Sequence, residues 1–324
     1  MKEEGHLDPA DVVSIISNLT VDDDAFIVGG QATNLWAWYY RDDAPYLKDE
    51  GPFTSVDIDY FGHADVAQKL ADALGGRVFR PGPDSMNTPN TAVIEANLNG
   101  KSVRIDFLNN VLGVEKKELG NGISSLGVIA EVNGETKPVA VLLMHPISCL
   151  KSRIANVMHA ATQRRDPTAT RQTHAAYHVT RAHIEHALRD GDHQEAKECF
   201  QGIFEYLRRD KLGRRAHLEV PVDPLGILRA FADDPRIDKR YRQKNLGVQI
   251  TEIERFRTGL EERIAPSREP AHEKKGSRGQ TILNELKAKH GSVSAAMTKT
   301  TANTASESVI LDATQKPKGT GIVD

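Results

Sequence analysis

Two aspartates spaced two residues apart are the first candidates for chemistry in this chain. In Ser55-Val56-Asp57-Ile58-Asp59-Tyr60-Phe61-Gly62, apolar and polar residues alternate as in a β-strand. Residues i and i+2 of a strand share a face, so Asp57 and Asp59 project side by side. Carboxylates that close repel unless a cation lies between them, which is how sites for hard divalent metals are built. The chain holds 45 acidic residues in 324, and chance alone gives about six acid-x-acid pairs. The spacing is therefore weak by itself, although Asp is disfavoured in strands. A second alternating segment, Ser102–Leu108, adds Asp106, with Val103, Ile105 and Phe107 on the opposite face. If the two strands are neighbours, three carboxylates converge. Such a set suits two divalent cations and in-line displacement at phosphorus, one metal activating the attacking hydroxyl and the other neutralising the leaving pyrophosphate.

Upstream, the apolar run Ala25–Val28 ends in Gly29-Gly30 and leads into a helical segment, Gln31–Tyr40. Glycines let the backbone approach a phosphate, and a helix N-terminus offers free N–H groups and the positive end of its dipole. The pattern matches neither GxGxxG nor GxxxxGK[ST], so it supports neither a dinucleotide fold nor a P-loop.

Taken together, the apolar strand ending in Gly29-Gly30, the strand carrying Asp57 and Asp59, and the strand carrying Asp106 resemble the nucleotidyltransferase superfamily of the DNA polymerase β type. Gly29-Gly30-Gln31-Ala32-Thr33-Asn34-Leu35 and Ser55-Val56-Asp57-Ile58-Asp59 look most like its AbiEii-like abortive-infection toxin branch. The resemblance covers residues 24–110. It implies a mixed sheet with flanking helices and transfer of NMP from an NTP to a hydroxyl. It also implies two Mg2+ ions on Asp57, Asp59 and Asp106, with Asp106 accepting the hydroxyl proton. Gly29, Gly30, Ser55 and Lys151 would contact the nucleotide, Arg153 lying beside that lysine. Implied partners are RNA (tRNA) or protein as acceptor, and an antitoxin. Two readings stand beside it: a small-molecule (antibiotic) nucleotidyltransferase, and a nucleotide-binding interaction module without activity. The sequence departs from the family in the polar insertion Arg41–Pro52, and Arg164-Arg165-Asp166 only approximates the branch's downstream acidic motif.

The elements that must position these residues follow from local patterns. Asp8-Pro9 opens a helix to about Leu19. His63–Leu74 is an amphipathic helix stopped by Gly75-Gly76. Strands are expected at Arg77–Phe79, Thr91–Leu98 and Ser102–Leu108, the last two joined at Asn99-Gly100. The pattern recurs in 128–143, around Asn133-Gly134. After His145-Pro146 the texture is helical: a first helix from Pro146, a second capped by Asp166-Pro167, and a third opened by a capping box of Asp192 and Glu195. The second carries His174 and His178 at i,i+4, then His183 and His186 at i,i+3. No HExxH or cysteine partner stands at ligand spacing, and with Arg171 and Arg181 nearby these histidines read as a polar or weakly basic helix face. Arg208, Arg209, Lys211, Arg214 and Arg215 form the densest basic run; such a run is usually a solvated helix end, although an RNA acceptor would need something like it.

The fold class expected is α+β: a catalytic domain over 1–145, a helical domain over 146–264 and a largely disordered tail over 265–324. No Phe, Trp or Tyr follows Phe256, and a tail rich in Ser, Thr, Ala and Lys cannot bury enough apolar surface to order itself, apart from a short helix near 280–290. Net charge is −3, which argues against a generally cationic nucleic-acid binder. Two cysteines without CxxC spacing suit a cytoplasmic chain. An acidic start without an apolar core, and the lack of a run near 20 apolar residues, give no expectation of a signal peptide or a membrane partner.

Overall fold

A computed structural model describes residues 7, 9–54, 57–82, 88–98, 100–132, 135–159 and 167–268. Ser55, Asp166, both Asn-Gly turns' asparagines, the Arg164–Asp166 motif and the expected helix at 280–290 lie outside the described residues. The chain divides into two compact units, Met1–Glu262 and Arg263–Asp324.

The first unit is a mixed seven-stranded sheet with helices. Its strands are β1 (Phe26–Val28), β2 (Asp57–Phe61), β3 (Arg77–Phe79), β4 (Asn90–Leu98), β5 (Lys101–Leu108), β6 (Ile123–Val132) and β7 (Glu135–Met144). Their order is β3-β4-β5-β2-β1-β7-β6. Local hairpins supply β4–β5 and β6–β7, both antiparallel. The centre is built from crossovers: β2 lies parallel to β5 and antiparallel to β1, and β1 lies parallel to β7. Period-2 burial fixes the register. Ile58 and Tyr60 of β2 and Val103, Ile105 and Phe107 of β5 are buried, while the residues between them are less so. A one-residue slip would place those aspartates in the core.

Helices α1 (Pro9–Ile16), α2 (Gly29–Tyr39), α3 (Pro45–Asp49), α4 (Ala64–Leu74) and α5 (Lys116–Asn121) accompany the sheet. The C-terminus of α4 closes on Gly75 at φ +62°, with Gly76 N–H donating to the Ala71 carbonyl, a left-handed cap that glycine adopts without strain. The insertion Arg41–Pro52, expected as loop, contains α3. Its Pro45 stands at the first turn, where a missing N–H costs nothing, and its Tyr46 stacks on His174 and His178.

The remaining helices are α6 (Pro146–Met158), α7 (Pro167–Arg189), α8 (His193–Arg209), α9 (Gly213–Glu219), α10 (Leu225–Ala230), α11 (Lys239–Tyr241), a π-helical turn over Arg242–Leu246, and α12 (Gly247–Arg268). Two buried apolar clusters result. One centres on the sheet and α2, and the other on α8 and its neighbours; α6 and α7 contribute to both. Residues 146–262 thus continue the body that holds the sheet. The second unit is described only as the last residues of α12.

Candidate functional site

The parallel pairing of β2 with β5 sets Asp59 directly opposite Asp106 and Asp57 opposite Arg104. Strand alternation puts Asp57 on the same face, and one carboxylate oxygen from each of the three lies within 4.8 Å of the others. Arg104 Nε donates to Asp106 Oδ1 at 3.1 Å. On the other side of β2, the antiparallel register places Asp59 opposite Val28. That brings it to Gly29, whose φ is +66°. A Cβ at Gly29 would overlap Asp59 Oδ2, so glycine is needed for both backbone and space. Gly29 and Gly30 form the first turn of α2, and its N-cap residue, Val28, makes no side-chain capping bond to that turn's N–H groups.

Opposing charge comes from α6. Arg153 is buried, with Nη1 donating to Gln172 Oε1 at 2.9 Å and Nη2 to Ser152 Oγ at 3.2 Å. Its Nε has no partner among the described residues. Gln172 also stands over Gly30, where a Cβ would lie 3.0 Å from its Nε2. Lys151, two residues earlier, leaves the helix in another direction. It pairs with Glu118 at 2.5 Å and lies 5.5 Å from the Tyr206 ring centre. Of the two cations on α6, the one brought to the aspartates is therefore Arg153.

Electrostatics follow from this geometry. Burial, then the neighbouring Asp57 carboxylate, pushes the Asp59 carboxyl up to about 7, with Asp106 adding to the rise and Arg153 and Arg104 opposing it. Burial pulls the Arg153 guanidinium below its ordinary value, against the attraction of Asp59 and Asp57. Burial and the adjacent Asp57 carboxylate thus let Asp59 keep its proton up to about neutral pH, and a divalent cation among the three carboxylates would relieve their mutual repulsion. All-oxygen donors of this kind fit Mg2+.

No protein-family model, curated protein or solved structure matches this chain. The site must therefore be read from its own atoms.

A second group of side chains was not legible in the sequence. Glu195, expected to close a capping box, does so only by half: Asp192 Oδ1 accepts from Glu195 N–H at 3.0 Å. The Glu195 carboxylate turns instead to His145 and His183, each Nε2 lying 2.9 Å from Oε1. Cys199 Sγ lies 3.3 Å from the same oxygen. The two histidines hold the Glu195 carboxyl well below the usual range. His183 was expected on a polar helix face. It instead meets Glu195 and, through Nδ1, the Tyr40 hydroxyl at 2.8 Å. The one available signal was Tyr40 itself, a polar aromatic just past the end of α2.

Proposed function

We propose that this chain is a Mg2+-dependent nucleotidyltransferase that moves NMP from an NTP to a hydroxyl of RNA (tRNA) or protein. By its resemblance to the AbiEii-like branch, we propose further that it acts as the toxin of a toxin–antitoxin or phage-defence pair, with an antitoxin as partner. The observation that carries the enzymatic reading is the convergence of Asp57, Asp59 and Asp106 beside Gly29-Gly30 and the buried Arg153.

Mg2+ on the three carboxylates would supply Lewis-acid neutralisation of triphosphate charge. The chain's own residues do the rest. The first turn of α2 presents backbone N–H groups to phosphate oxygens, and Gly29 and Gly30 keep side chains out of the way. Arg153, whose Nε–H has no partner among the described residues, adds a fixed positive charge in a low-dielectric corner, where it is worth more than in water. Asp106 accepts the proton of the acceptor hydroxyl as its oxygen bonds to the α-phosphorus and pyrophosphate leaves. Arg104 keeps the Asp106 carboxylate oriented.

Transfer from each α-labelled NTP to RNA, tRNA, protein and small hydroxyl compounds tests the reading. Label entering RNA or protein, and lost in Asp57→Ala, supports it. Label entering only a small hydroxyl compound moves the assignment to small-molecule modification. No transfer with Mg2+ or Mn2+ to any acceptor overturns it in favour of a binding module.

A further inference from the structure

Helix α2 has chemistry at both ends. Gly29, at its start, touches Asp59, while Tyr40, just past its end, bonds His183. Eleven residues at 1.5 Å each separate the two ends by about 16 Å. The far end holds His145, His183, Glu195 and Cys199, with one potential ligand atom from each within 4.8 Å of the others. These side chains line a cavity of about 720 Å3 together with Ser124 and Ser125, so an ion could reach them from solvent.

We propose that this cluster is a second metal site, for a zinc-class divalent ion, with His183 Nε2, the Glu195 carboxylate and the Cys199 thiolate as protein ligands. Three donors, two N–H groups and one S–H, converge on a single oxygen, Glu195 Oε1. Once their protons are gone, His183 Nε2 and Cys199 Sγ turn lone pairs toward the Glu195 carboxylate, so that an ion among the three would meet N, S and O donors together. Imidazole, carboxylate and thiolate form a mixed N, O, S set that selects zinc-like ions over Mg2+, in contrast to the all-oxygen set at Asp57, Asp59 and Asp106.

Proton bookkeeping decides which histidine is a ligand. His145 Nδ1 accepts from Ile147 N–H at 3.1 Å, capping α6. Its proton therefore sits on Nε2, where it donates to Glu195. His145 is thus a positioning residue that orients the carboxylate. His183 is free to ligate. Its proton moves from Nε2 to Nδ1, where the Tyr40 hydroxyl turns from donor to acceptor, the hydrogen bond that metal-bound histidines require of their surroundings. The Cys199 thiol proton leaves to solvent. Three protein ligands would leave a fourth position open, and all three ligand residues line the cavity. An open fourth position beside a cavity is the pattern of a zinc that meets a substrate or water.

The test is Co2+ substitution of the chelator-treated full chain. The expected result is a thiolate-to-cobalt charge-transfer band that saturates at one Co2+ per chain, apart from any Co2+ taken up by the three aspartates, which adds no such band. Cys199→Ser abolishes the band, Cys149→Ser keeps it, and Asp57→Asn keeps it. Tyr40→Phe keeps the band while weakening binding by about 10-fold. X-ray absorption of the zinc-loaded chain, with one sulfur among its nearest neighbours, supplies the same answer without any substitution. Absence of the band and of a sulfur neighbour would show a hydrogen-bonded network only and overturn the proposal. So would a band that survives Cys199→Ser, or one lost with Asp57→Asn. The assay reads no nucleotide transfer, so it succeeds or fails independently of the proposed activity.

Discussion

Gly29 begins α2 with φ +66°, and Asp59 Oδ2 occupies the space in which a Cβ of residue 29 would stand. One contact thus ties the helix start to the middle of the carboxylate group. We predict that Gly29→Ala costs about 2 to 4 kcal/mol, from the left-handed backbone and from overpacking together. It should also weaken divalent-ion binding by displacing Asp59. Urea unfolding and a Mn2+ titration check both effects, and wild-type behaviour in both would deny the contact any role.

The sign of the pH dependence follows from Asp59, raised to about 7 in the folded chain from an ordinary 3.8. Between those values the folded state binds a proton that the unfolded chain has released. This group's contribution therefore makes the metal-free protein less stable as pH rises from about 4 to about 7, with little further change above. Mg2+ binds the ionised form. Its stabilising effect on Tm should be larger at pH 8 than at pH 6, and an effect equal at both, or larger at pH 6, would contradict the assignment.

Arg153 and Lys151 stand two positions apart on α6 and face different partners. Removing Arg153 takes away the strongest influence opposing the rise of the Asp59 carboxyl. We predict that Arg153→Gln shifts the pH profile of metal binding upward and raises KM for NTP by about 10-fold or more, a loss of roughly 1.4 kcal/mol of binding. Lys151→Gln should leave the metal-binding profile in place, because its partner is Glu118. Steady-state kinetics on both variants separates the two cations.

What the sequence made legible was local. Alternation placed Asp57 and Asp59 on one face of β2 and Asp106 on its own strand, because burial with period 2 is written directly in residue types. The neighbour relation of β2 and β5 was only conditional, since a crossover leaves no local mark. Lys151 was read as the nucleotide-facing cation with Arg153 only beside it, because the rotation of α6, which brings Arg153 to the aspartates, depends on which residues α7 covers. Glu195 was read through its nearest neighbours as half of a capping box. Its bonds run instead to His145, 50 residues away, and to His183 on another helix. Side chains gathered from separate elements have no common spacing to read.

A pair far from both clusters provides a stability test. Arg257 of α12 is buried and donates to both oxygens of Asp223, at 2.7 and 2.8 Å. Burial alone would raise the Asp223 carboxyl, but Arg257 outweighs it and holds the group below its ordinary value. The pair therefore stabilises above the ordinary carboxylate pKa and loses that effect as pH falls through the depressed value. We predict that Arg257→Met costs about 2 kcal/mol at pH 7, a figure lowered for the partial exposure of Asp223. The difference from wild type should shrink at acid pH, and urea denaturation at both pH values measures it.

Asp106→Asn addresses the central claim most directly, with NTP affinity by calorimetry and pyrophosphate release measured on the same preparation. The substitution preserves shape and removes both a metal ligand and the proton acceptor. Retention of NTP affinity within a few-fold, with pyrophosphate release and label transfer lost by roughly 1,000-fold or more, is the predicted result. Release at the wild-type rate would contradict the three-carboxylate site.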